Sequence, residues 1–292
     1  MSRPTDKTWT VLELIRWTTS FFQSKGIDSA RLDAELLLAS VLGMDRMGLY
    51  INFDRPVSPE ERGAYRDLVK TRARRVPVKY MLGECEFMSI AFEIGPGVLI
   101  PRPETEHLVE RTLEILGDQP RVVLDLGTGS GCIAVAIAKS APNVRVFASD
   151  ISPSALAIAQ RNARRHDLAD RVSFVAALWL DAYSHKLAVD VVVSNPPYVP
   201  ESEWGTLEPE ITQHEPRGAL VAGADGLDDI RCLVADAPNH LRPGGTLLCE
   251  IGDGQSQAVA ELVQATGRYE APTFIQDLAR IDRVLEARVK SP

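Results

Sequence analysis

The chain has 292 residues, a net charge of −8 and 45% hydrophobic residues, which is enough for one large α/β domain and a smaller second one. It contains no run approaching the ~18 apolar residues of a membrane span, and its polar N-terminus has no signal-peptide hydrophobic region. The four cysteines are scattered without metal-ligand spacing. These features predict a cytoplasmic protein without disulfides, a membrane anchor or a bound metal.

The charge is divided unevenly along the chain. Residues 1–80 carry 14 basic and 10 acidic residues, whereas residues 81–292 carry 18 basic and 30 acidic ones. Binding to a bare nucleic-acid backbone depends largely on the neutralisation of phosphates. The acidic C-terminal part therefore argues against a direct nucleic-acid partner and favours a protein substrate.

Residues 1–76 are predicted to form a small helical domain. Apolar residues at mixed three- and four-residue spacing predict helices over residues 9–24 and 29–42. Asp28 is the expected N-cap of the second helix, and Gly43 is its expected C-terminal stop.

A third helix is predicted to begin at Ser58-Pro59-Glu60-Glu61, where a capping box is combined with a proline in the first turn. This helix is expected to continue to about Arg75. We interpret its basic cluster as a solvated face, and contact with a partner is the alternative. The cluster comprises Lys70, Arg72, Arg74 and Arg75.

Residues 77–105 are predicted to form a hairpin and a linker. The segment 86–94 alternates enough to indicate two short paired strands. The proline- and glycine-rich stretch 95–103 then makes a constrained crossing into the next domain. Arg102 and Glu104 are candidates for an ion pair that fixes this crossing.

Residues 106–292 are predicted to form a doubly wound, mostly parallel α/β sheet of the Rossmann-like type, because strand and helix patterns alternate. In such sheets, ligands bind beyond the carboxyl ends of the strands. Gly127, Asp150, Trp179 and Asn195 each follow a predicted strand and should share that edge. The predicted helices span residues 107–116, 132–140, 154–166 and 226–241, and the predicted strands span residues 122–126, 144–149, 172–175, 189–194 and 246–251.

A glycine-rich loop, Gly127-Thr128-Gly129-Ser130-Gly131, follows the first of these strands, and glycine allows a backbone to approach a ligand closely. The loop lacks both the G-x-G-x-x-G pattern and the Gly-Lys-Ser/Thr ending of a phosphate loop. No basic residue lies between Asp125 and Lys139, and Asp125 is expected to repel a pyrophosphate. With Asp150 placed to bind ribose hydroxyls, the pattern favours cationic S-adenosylmethionine. A purely structural turn is the alternative.

The turn Asn195-Pro196-Pro197-Tyr198 follows the apolar strand 189–194. Proline has no N–H group and pushes the residue before it toward extended geometry. The Asn195 side-chain oxygen and the Pro196 carbonyl can therefore project together, as two acceptors for a planar amino group. Tyr198 either stacks on that group and lines the transfer channel or packs under the turn, and we favour the first interpretation because aromatic rings attract cations.

Several segments together resemble the HemK/PrmC family of glutamine methyltransferases, which modify the Gly-Gly-Gln motif of peptide-chain release factors. The resemblance extends from about Val76 to Arg288, with a weaker helical match before it. Its most specific segment is the Ile-Pro-Arg-Pro-Glu-Thr stretch. The matching segments are residues 97–106, 125–131, 150–153, 194–198, 214–217, 225–227, 241–245 and 250–252.

The resemblance implies a class I methyltransferase domain that uses S-adenosylmethionine, releases S-adenosylhomocysteine and needs no metal. It further implies that the helical domain recognises the release factor, and we expect a monomer. The implied cofactor-binding residues are Asp125, Gly127, Thr128, Gly129, Ser130, Gly131, Asp150, Ile151, Trp179 and Asn195. The residues implied to be both catalytic and substrate-binding are Asn195, Pro196, Pro197 and Tyr198. Arg102 and Glu104 are implied to be substrate-binding residues as well.

One position departs from the family pattern. The residue before the tryptophan beside the adenine is often Asp in the family, but here it is Leu178. An acidic contact with the adenine amino group is then either missing or supplied by Asp181.

The sequence also leaves three other functions open. A DNA adenine-N6 methyltransferase can use the same turn on a flipped base, but it needs a basic channel for the strand. A ribosomal-protein glutamine methyltransferase is the nearest alternative enzyme. A non-enzymatic cofactor-binding or adaptor protein has no use for Asn195 in this context.

Overall fold

The computed structural model describes residues 8–184 and 187–291. The chain divides into two compact units, residues 1–83 and 84–292. In the described part of the chain, no helix has both the length and the apolar character that crossing a membrane requires.

The first unit is mainly helical, and its two short strands pair with each other as an antiparallel ribbon. The apolar faces of its helices enclose a separate hydrophobic core. Its elements are β1 (Trp9–Thr10), α1 (Val11–Ser24), α2 (Ala30–Leu42), α3 (Arg46–Ile51), β2 (Pro56–Val57), α4 (Pro59–Arg72) and α5 (Val78–Leu82).

Two helix ends differ from the sequence expectations. The N-cap of α2 is Ser29 rather than Asp28, and the Ser29 hydroxyl donates to Asp33 instead of accepting a backbone N–H. Helix α4 begins with the expected capping box at Ser58 but ends at Arg72. It stops there because the backbone tightens into a turn that reaches the left-handed region at Arg75, where φ is 69°.

The basic cluster of α4 is not a uniformly solvated face, and that interpretation is wrong for Arg72. Tyr65, Val69 and Arg72 share the buried stripe of the helix because they are four and three residues apart. Arg72 Nε lies 2.7 Å from Asp33 Oδ2, and both side chains are almost completely buried. Arg74 is exposed.

The second unit is built on a seven-stranded sheet in the order β10-β11-β9-β8-β5-β6-β7, in which only β10 and β11 run antiparallel to their neighbours. The predicted α/β class and mostly parallel sheet are confirmed. The strands are β3 (Glu84–Phe87), β4 (Ile90–Glu93), β5 (Arg121–Leu126), β6 (Val144–Asp150), β7 (Val172–Ala176), β8 (Val189–Ser194), β9 (Leu241–Glu250), β10 (Thr273–Gln276) and β11 (Asp282–Arg288).

Helices cover both faces of this sheet, and β3 pairs with β4 as a separate antiparallel hairpin. The central strands are apolar and fully buried, as Val191, Val192 and Val193 illustrate. The helices are α6 (Thr105–Leu116), α7 (Cys132–Ser140), α8 (Pro153–Arg165), α9 (Pro209–His214), α10 (Asp228–Asp236) and α11 (Ser256–Thr266).

The helix predicted for residues 226–241 is too long at both ends. Gly226 has a φ of +75°, and a Cβ there would lie 2.2 Å from the Tyr198 carbonyl oxygen, so this residue belongs to a tight turn. At the other end, a 3₁₀ turn with Pro238 follows α10, because proline has no N–H for a helical bond. Leu241 already begins β9. The sequence reasoning made no prediction for α11, β10 or β11.

We predict that replacing Arg72 with alanine lowers the free energy of unfolding by about 3–5 kcal/mol, because it leaves the buried Asp33 carboxylate without its cation. Arg74→Ala removes a similar side chain from the exposed side of the same segment and should change stability by less than about 0.5 kcal/mol. Urea denaturation followed by circular dichroism measures both. Equal effects of the two substitutions would contradict the structural role of the pair.

We also predict that Gly131→Ala is more destabilising than Gly129→Ala. Both glycines have positive φ, so alanine costs about 1–2 kcal/mol of backbone strain at either site. At Gly131 the new Cβ would additionally lie 2.9 Å from Ala159 Cβ on α8, whereas nothing lies within 4 Å at Gly129. This overpacking should add about 1–3 kcal/mol, measurable as a lower urea midpoint.

Candidate functional site

A cavity of about 430 Å³ lies at the carboxyl ends of the parallel strands. The residues that follow β5, β6, β7 and β8 form one wall, as expected for this sheet type. Predicted site residues in its lining are Gly127, Gly129, Asp150, Ile151, Trp179, Asn195 and Pro197. The remaining lining residues are Gly97, Val98, Leu99, Ser152, Ala155, Ala177, Leu178, Pro216, Gly218, Ala219 and Asp229.

Asp125 does not line the cavity but lies under the glycine loop, completely buried. Its Oδ2 accepts hydrogen bonds from Thr128 Oγ1 at 2.6 Å and from the Ala134 backbone N–H at 3.1 Å. Burial raises the pKa of the Asp125 carboxyl to about 7. Asp125 therefore acts from beneath the loop, where its carboxyl group holds the loop to the start of α7.

The other loop residues also act from inside the protein. Thr128 and Ser130 are buried, and Gly131 packs against α8. Among the described residues of the loop, only Gly127 and Gly129 belong to the cavity lining. The loop therefore meets the cavity through backbone, with its side chains turned inward.

Asp150, at the end of β6, faces the cavity and organises the backbone around it. Its Oδ2 accepts the Gly129 N–H and its Oδ1 accepts the Ser152 N–H, both at 2.8 Å. Burial raises the pKa of this carboxyl, and the two backbone N–H groups oppose that shift. The side chain is thereby fixed in one orientation, with its remaining lone pairs available to a ligand.

Trp179 lies over the glycine loop. Its ring is 3.2 Å from the position that a Gly127 Cβ would occupy, so any larger residue at 127 would displace the ring. The Trp179 backbone has a φ of 45°, and its carbonyl accepts a hydrogen bond from Ser149 Oγ at 3.0 Å. Ile151 adds apolar surface to this end of the cavity and is 68% exposed.

The acidic residue beside Trp179 in the cavity is Asp229 of α10, not Asp181. Asp229 is half-buried and belongs to the lining, together with Leu178, whereas Asp181 is exposed and lies outside it. Burial raises the pKa of the Asp229 carboxyl, and the Trp179 side chain lowers it in part. The structure therefore places an acid next to the position at which the chain departs from the family pattern.

The turn after β8 presents Asn195 and Pro197 to the cavity, whereas Pro196 and Tyr198 do not belong to the described lining. The Asn195 Nδ2 group donates to Thr105 Oγ1 at 3.0 Å, which leaves Oδ1 as the accepting end of the amide. Tyr198 is largely buried under the turn, and its hydroxyl donates to Glu250 Oε1 at 3.3 Å. Burial raises the pKa of Tyr198. This geometry corresponds to the alternative in which the ring packs under the turn.

The linker reaches the cavity through Val98 and Leu99 and is held by Glu215. The buried Glu215 carboxylate accepts the Ile100 N–H at 3.1 Å and one Arg102 N–H at 2.5 Å. The expected Arg102–Glu104 ion pair is therefore wrong. A buried acceptor with two donors outcompetes Glu104, which is the half-buried N-cap residue of α6.

The sequence analysis assigned no role at the site to four residues that line it or hold its parts in place: Thr105, Glu215, Asp229 and Glu250. Glu250 has the clearest signal, because it is an acid inside the otherwise apolar segment 247–251. It is buried at the end of β9 and accepts a hydrogen bond from Thr105 Oγ1 at 2.7 Å. Burial raises the pKa of the Glu250 carboxyl to about 7.

The electrostatic character of the cavity is acidic. The charged side chains of its described lining are Asp150 and Asp229, and this lining contains no lysine, arginine or histidine. Such a cavity suits a ligand that is cationic or rich in hydrogen-bond donors, and it does not suit a phosphate.

Two family models match the chain in succession. The PrmC N-terminal domain matches residues 13–83, and the methyltransferase small domain matches residues 105–213. Among solved structures, a 16S rRNA methyltransferase of T. thermophilus in complex with AdoMet and guanosine has a TM-score of 0.54 and 20% identity, over 71% of this chain and 50% of that one. At this identity, the likeness concerns the fold.

Curated relatives match almost the full length. A release factor glutamine methyltransferase of Geobacter sulfurreducens is 45% identical over 281 residues, which cover 96% of this chain and 97% of that protein. One of Rhodopirellula baltica is 43% identical over 285 residues, with 96% of each chain covered. Identity of this degree over both units shows that the chain belongs to the family of release factor glutamine methyltransferases.

Proposed function

We propose that this chain transfers a methyl group from S-adenosylmethionine to the side-chain amide nitrogen of the glutamine in the Gly-Gly-Gln motif of peptide-chain release factors. S-adenosylhomocysteine is the other product. The observation that carries the proposal is the Asn195 carboxamide. It lines the same cavity as Gly129 and Asp150 and is held there by its Nδ2 end.

The residues of the cavity fit S-adenosylmethionine. Asp150 ends β6, where an acidic residue accepts hydrogen bonds from ribose hydroxyls. Trp179 and Ile151 offer apolar surface to the adenine ring, and Gly127 and Gly129 let the backbone approach the amino-acid part. When bound, S-adenosylmethionine supplies an electrophilic methyl group on a sulfonium, whose positive charge suits the acidic lining.

The other predicted cofactor-binding residues act through the loop. Asp125 and Thr128 close the turn by their mutual hydrogen bond, and the lack of a side chain at Gly131 lets α7 pack against α8. Asn162 of α8 adds to this support, because its Nδ2 donates to the Ser130 carbonyl at 2.9 Å. These residues shape the cofactor site without lining it.

Asn195 and Pro196 are proposed to hold the substrate amide. A glutamine amide nitrogen is a poor nucleophile because its lone pair is delocalised into the carbonyl. Two acceptors, Asn195 Oδ1 and the Pro196 carbonyl, can take its two N–H bonds and turn the lone pair toward the methyl carbon. The same acceptors stabilise the positive charge that grows on nitrogen, so they contribute most in the transition state.

The rest of the turn and two residues of the linker complete the proposed substrate site. Pro197 lines the cavity and keeps the chain extended, and Tyr198 supports the turn from below. Arg102 is proposed to bind the substrate loop with the guanidinium N–H groups that Glu215 does not occupy, and Glu104 lies two residues further along the same segment. The protonated product amide is strongly acidic and needs no tuned base.

The helical unit is proposed to recognise the release factor. Its short helix α3 and the following turn expose large apolar side chains, as expected for a protein-binding surface. These are Met47 at 63%, Tyr50 at 48%, Ile51 at 72% and Phe53 at 51% exposure. We propose that the enzyme acts as a monomer on a protein substrate, without direct contact with nucleic acid.

We predict that purified protein transfers label from methyl-labelled S-adenosylmethionine to a release factor, and that Asn195→Ala lowers turnover by on the order of 10²-fold or more. Cofactor binding, measured by calorimetry, should survive, because the lost interaction forms mainly in the transition state. A parallel assay with a ribosomal protein and with DNA defines the substrate. A release factor whose Gly-Gly-Gln glutamine is replaced by asparagine is the matched control.

Methylation of DNA but not of the release factor would overturn the proposal. Preferential methylation of the ribosomal protein would assign the enzyme to the nearest alternative class. An equal loss of cofactor binding and turnover in Asn195→Ala would assign Asn195 to cofactor binding instead of the amide cradle.

Asp229 is proposed to accept a hydrogen bond from the adenine amino group, in place of the missing acid at position 178. We predict that Asp229→Ala weakens S-adenosylhomocysteine binding by about 10-fold, the value of one charge-assisted hydrogen bond. Asp181→Ala is the control and should leave the affinity unchanged. S-inosylhomocysteine, which has an accepting oxygen in place of that amino group, should bind Asp229→Ala at least as tightly as wild type; weaker binding to Asp229→Ala would contradict the assignment.

A further inference from the structure

The Asn195 amide has two ends of nearly equal shape, and only one of them can accept a hydrogen bond. The proposed reaction requires the oxygen to face the substrate. A side chain free to flip would present its NH₂ group to the substrate NH₂ group for part of the time. Some feature of the protein must therefore decide the orientation of this amide.

The parallel sheet brings the deciding groups together. Ser194 of β8 pairs with Cys249 of β9, so the next residue of each strand, Asn195 and Glu250, lies at the same edge. Helix α6 begins at Thr105, and the Thr105 hydroxyl lies between them. It is 3.0 Å from Asn195 Nδ2 and 2.7 Å from Glu250 Oε2.

The direction of these two hydrogen bonds follows from the chemistry of the groups. In its ionised form, the Glu250 carboxylate only accepts hydrogen bonds, and a threonine hydroxyl has a single proton. Glu250 Oε1 already accepts from Tyr198, and Oε2 takes the Thr105 proton. The Thr105 oxygen can then only accept from Asn195, so the Nδ2 end must point toward it and Oδ1 must point away.

We propose that Thr105 and Glu250 are positioning residues that fix the Asn195 amide with its oxygen toward the substrate. This inference rests on the proposed role of Asn195 as the acceptor for the glutamine amide. Both residues are almost completely buried, so water does not compete for these hydrogen bonds. Neither residue belongs to the described cavity lining, so each acts through Asn195 and not on the ligands.

We predict that Thr105→Val, which keeps the shape but removes the hydroxyl, lowers kcat by about 10- to 100-fold while the Kd for S-adenosylmethionine stays unchanged. Thr105→Ser restores the hydroxyl and should recover most of the lost turnover. Thr112→Val is the matched control, because Thr112 is a buried threonine of the same helix whose hydroxyl donates to the Leu108 carbonyl. It should leave kcat unchanged.

Glu250→Gln tests the second positioning residue. A glutamine has a donor end as well as an acceptor end, so the Thr105 proton is no longer committed to it. A fall in kcat in the same direction is expected, again with the cofactor Kd unchanged. Thermal unfolding of each variant shows whether it is folded at the assay temperature.

A double-mutant cycle separates positioning from general structural damage. If Thr105 acts through Asn195, Thr105→Val should have little further effect on kcat once Asn195→Ala is present. Multiplicative losses would overturn the inference, as would equal losses in Thr105→Val and Thr112→Val. Full activity of Asn195→Ala alone would instead overturn the proposed cradle, so the two failures are distinguishable.

Discussion

The pairing of three parallel strands in one register is the constraint on which the site depends. Leu126 of β5 pairs with Ser194 of β8, and Ser194 pairs with Cys249 of β9. The next residue of each strand is therefore delivered to the same edge, and these residues are Gly127, Asn195 and Glu250. A slip of one residue in β8 would turn the Asn195 side chain to the opposite face of the sheet.

Buried carboxyl groups then fix the loops that follow these strands, because each group accepts hydrogen bonds from a loop. Asp125 holds the glycine turn, Asp150 holds Gly129 and Ser152, Glu215 holds the linker, and Glu250 holds Thr105. Burial of a carboxylate is unfavourable unless donors compensate for the lost water. Each of these carboxyl groups accepts at least two hydrogen bonds. Only the observed loop conformation supplies these donors, so each carboxyl group stabilises that conformation over others.

The sequence predicted what depends on local pattern. The apolar runs and the glycine loop identified the parallel strands and their edge, and Asp150, Trp179 and Asn195 all line one cavity there. It could not predict partners that are distant in the chain. Glu215 is 113 positions from Arg102, and a nearby acid, Glu104, was the natural but wrong choice. Asp229 was missed for the same reason, because the packing of α10 places it beside Trp179. The residue pattern predicted helix α7, but it did not reveal that the Ala134 N–H of this helix donates to Asp125 and so holds its carboxyl group inward.

The proposed chemistry explains why the orientation of the Asn195 amide matters for the reaction. A methyl transfer to an amide needs no tuned acid or base, so the chain contributes chiefly by positioning and by acceptors for developing charge. A hydroxyl alone cannot determine how an amide faces, because a hydroxyl can donate or accept. A carboxylate behind the hydroxyl removes that choice, since it only accepts. An ionised Glu250 thus determines the direction of the Thr105 hydrogen bond, and in the proposed mechanism this direction determines which end of Asn195 faces the substrate.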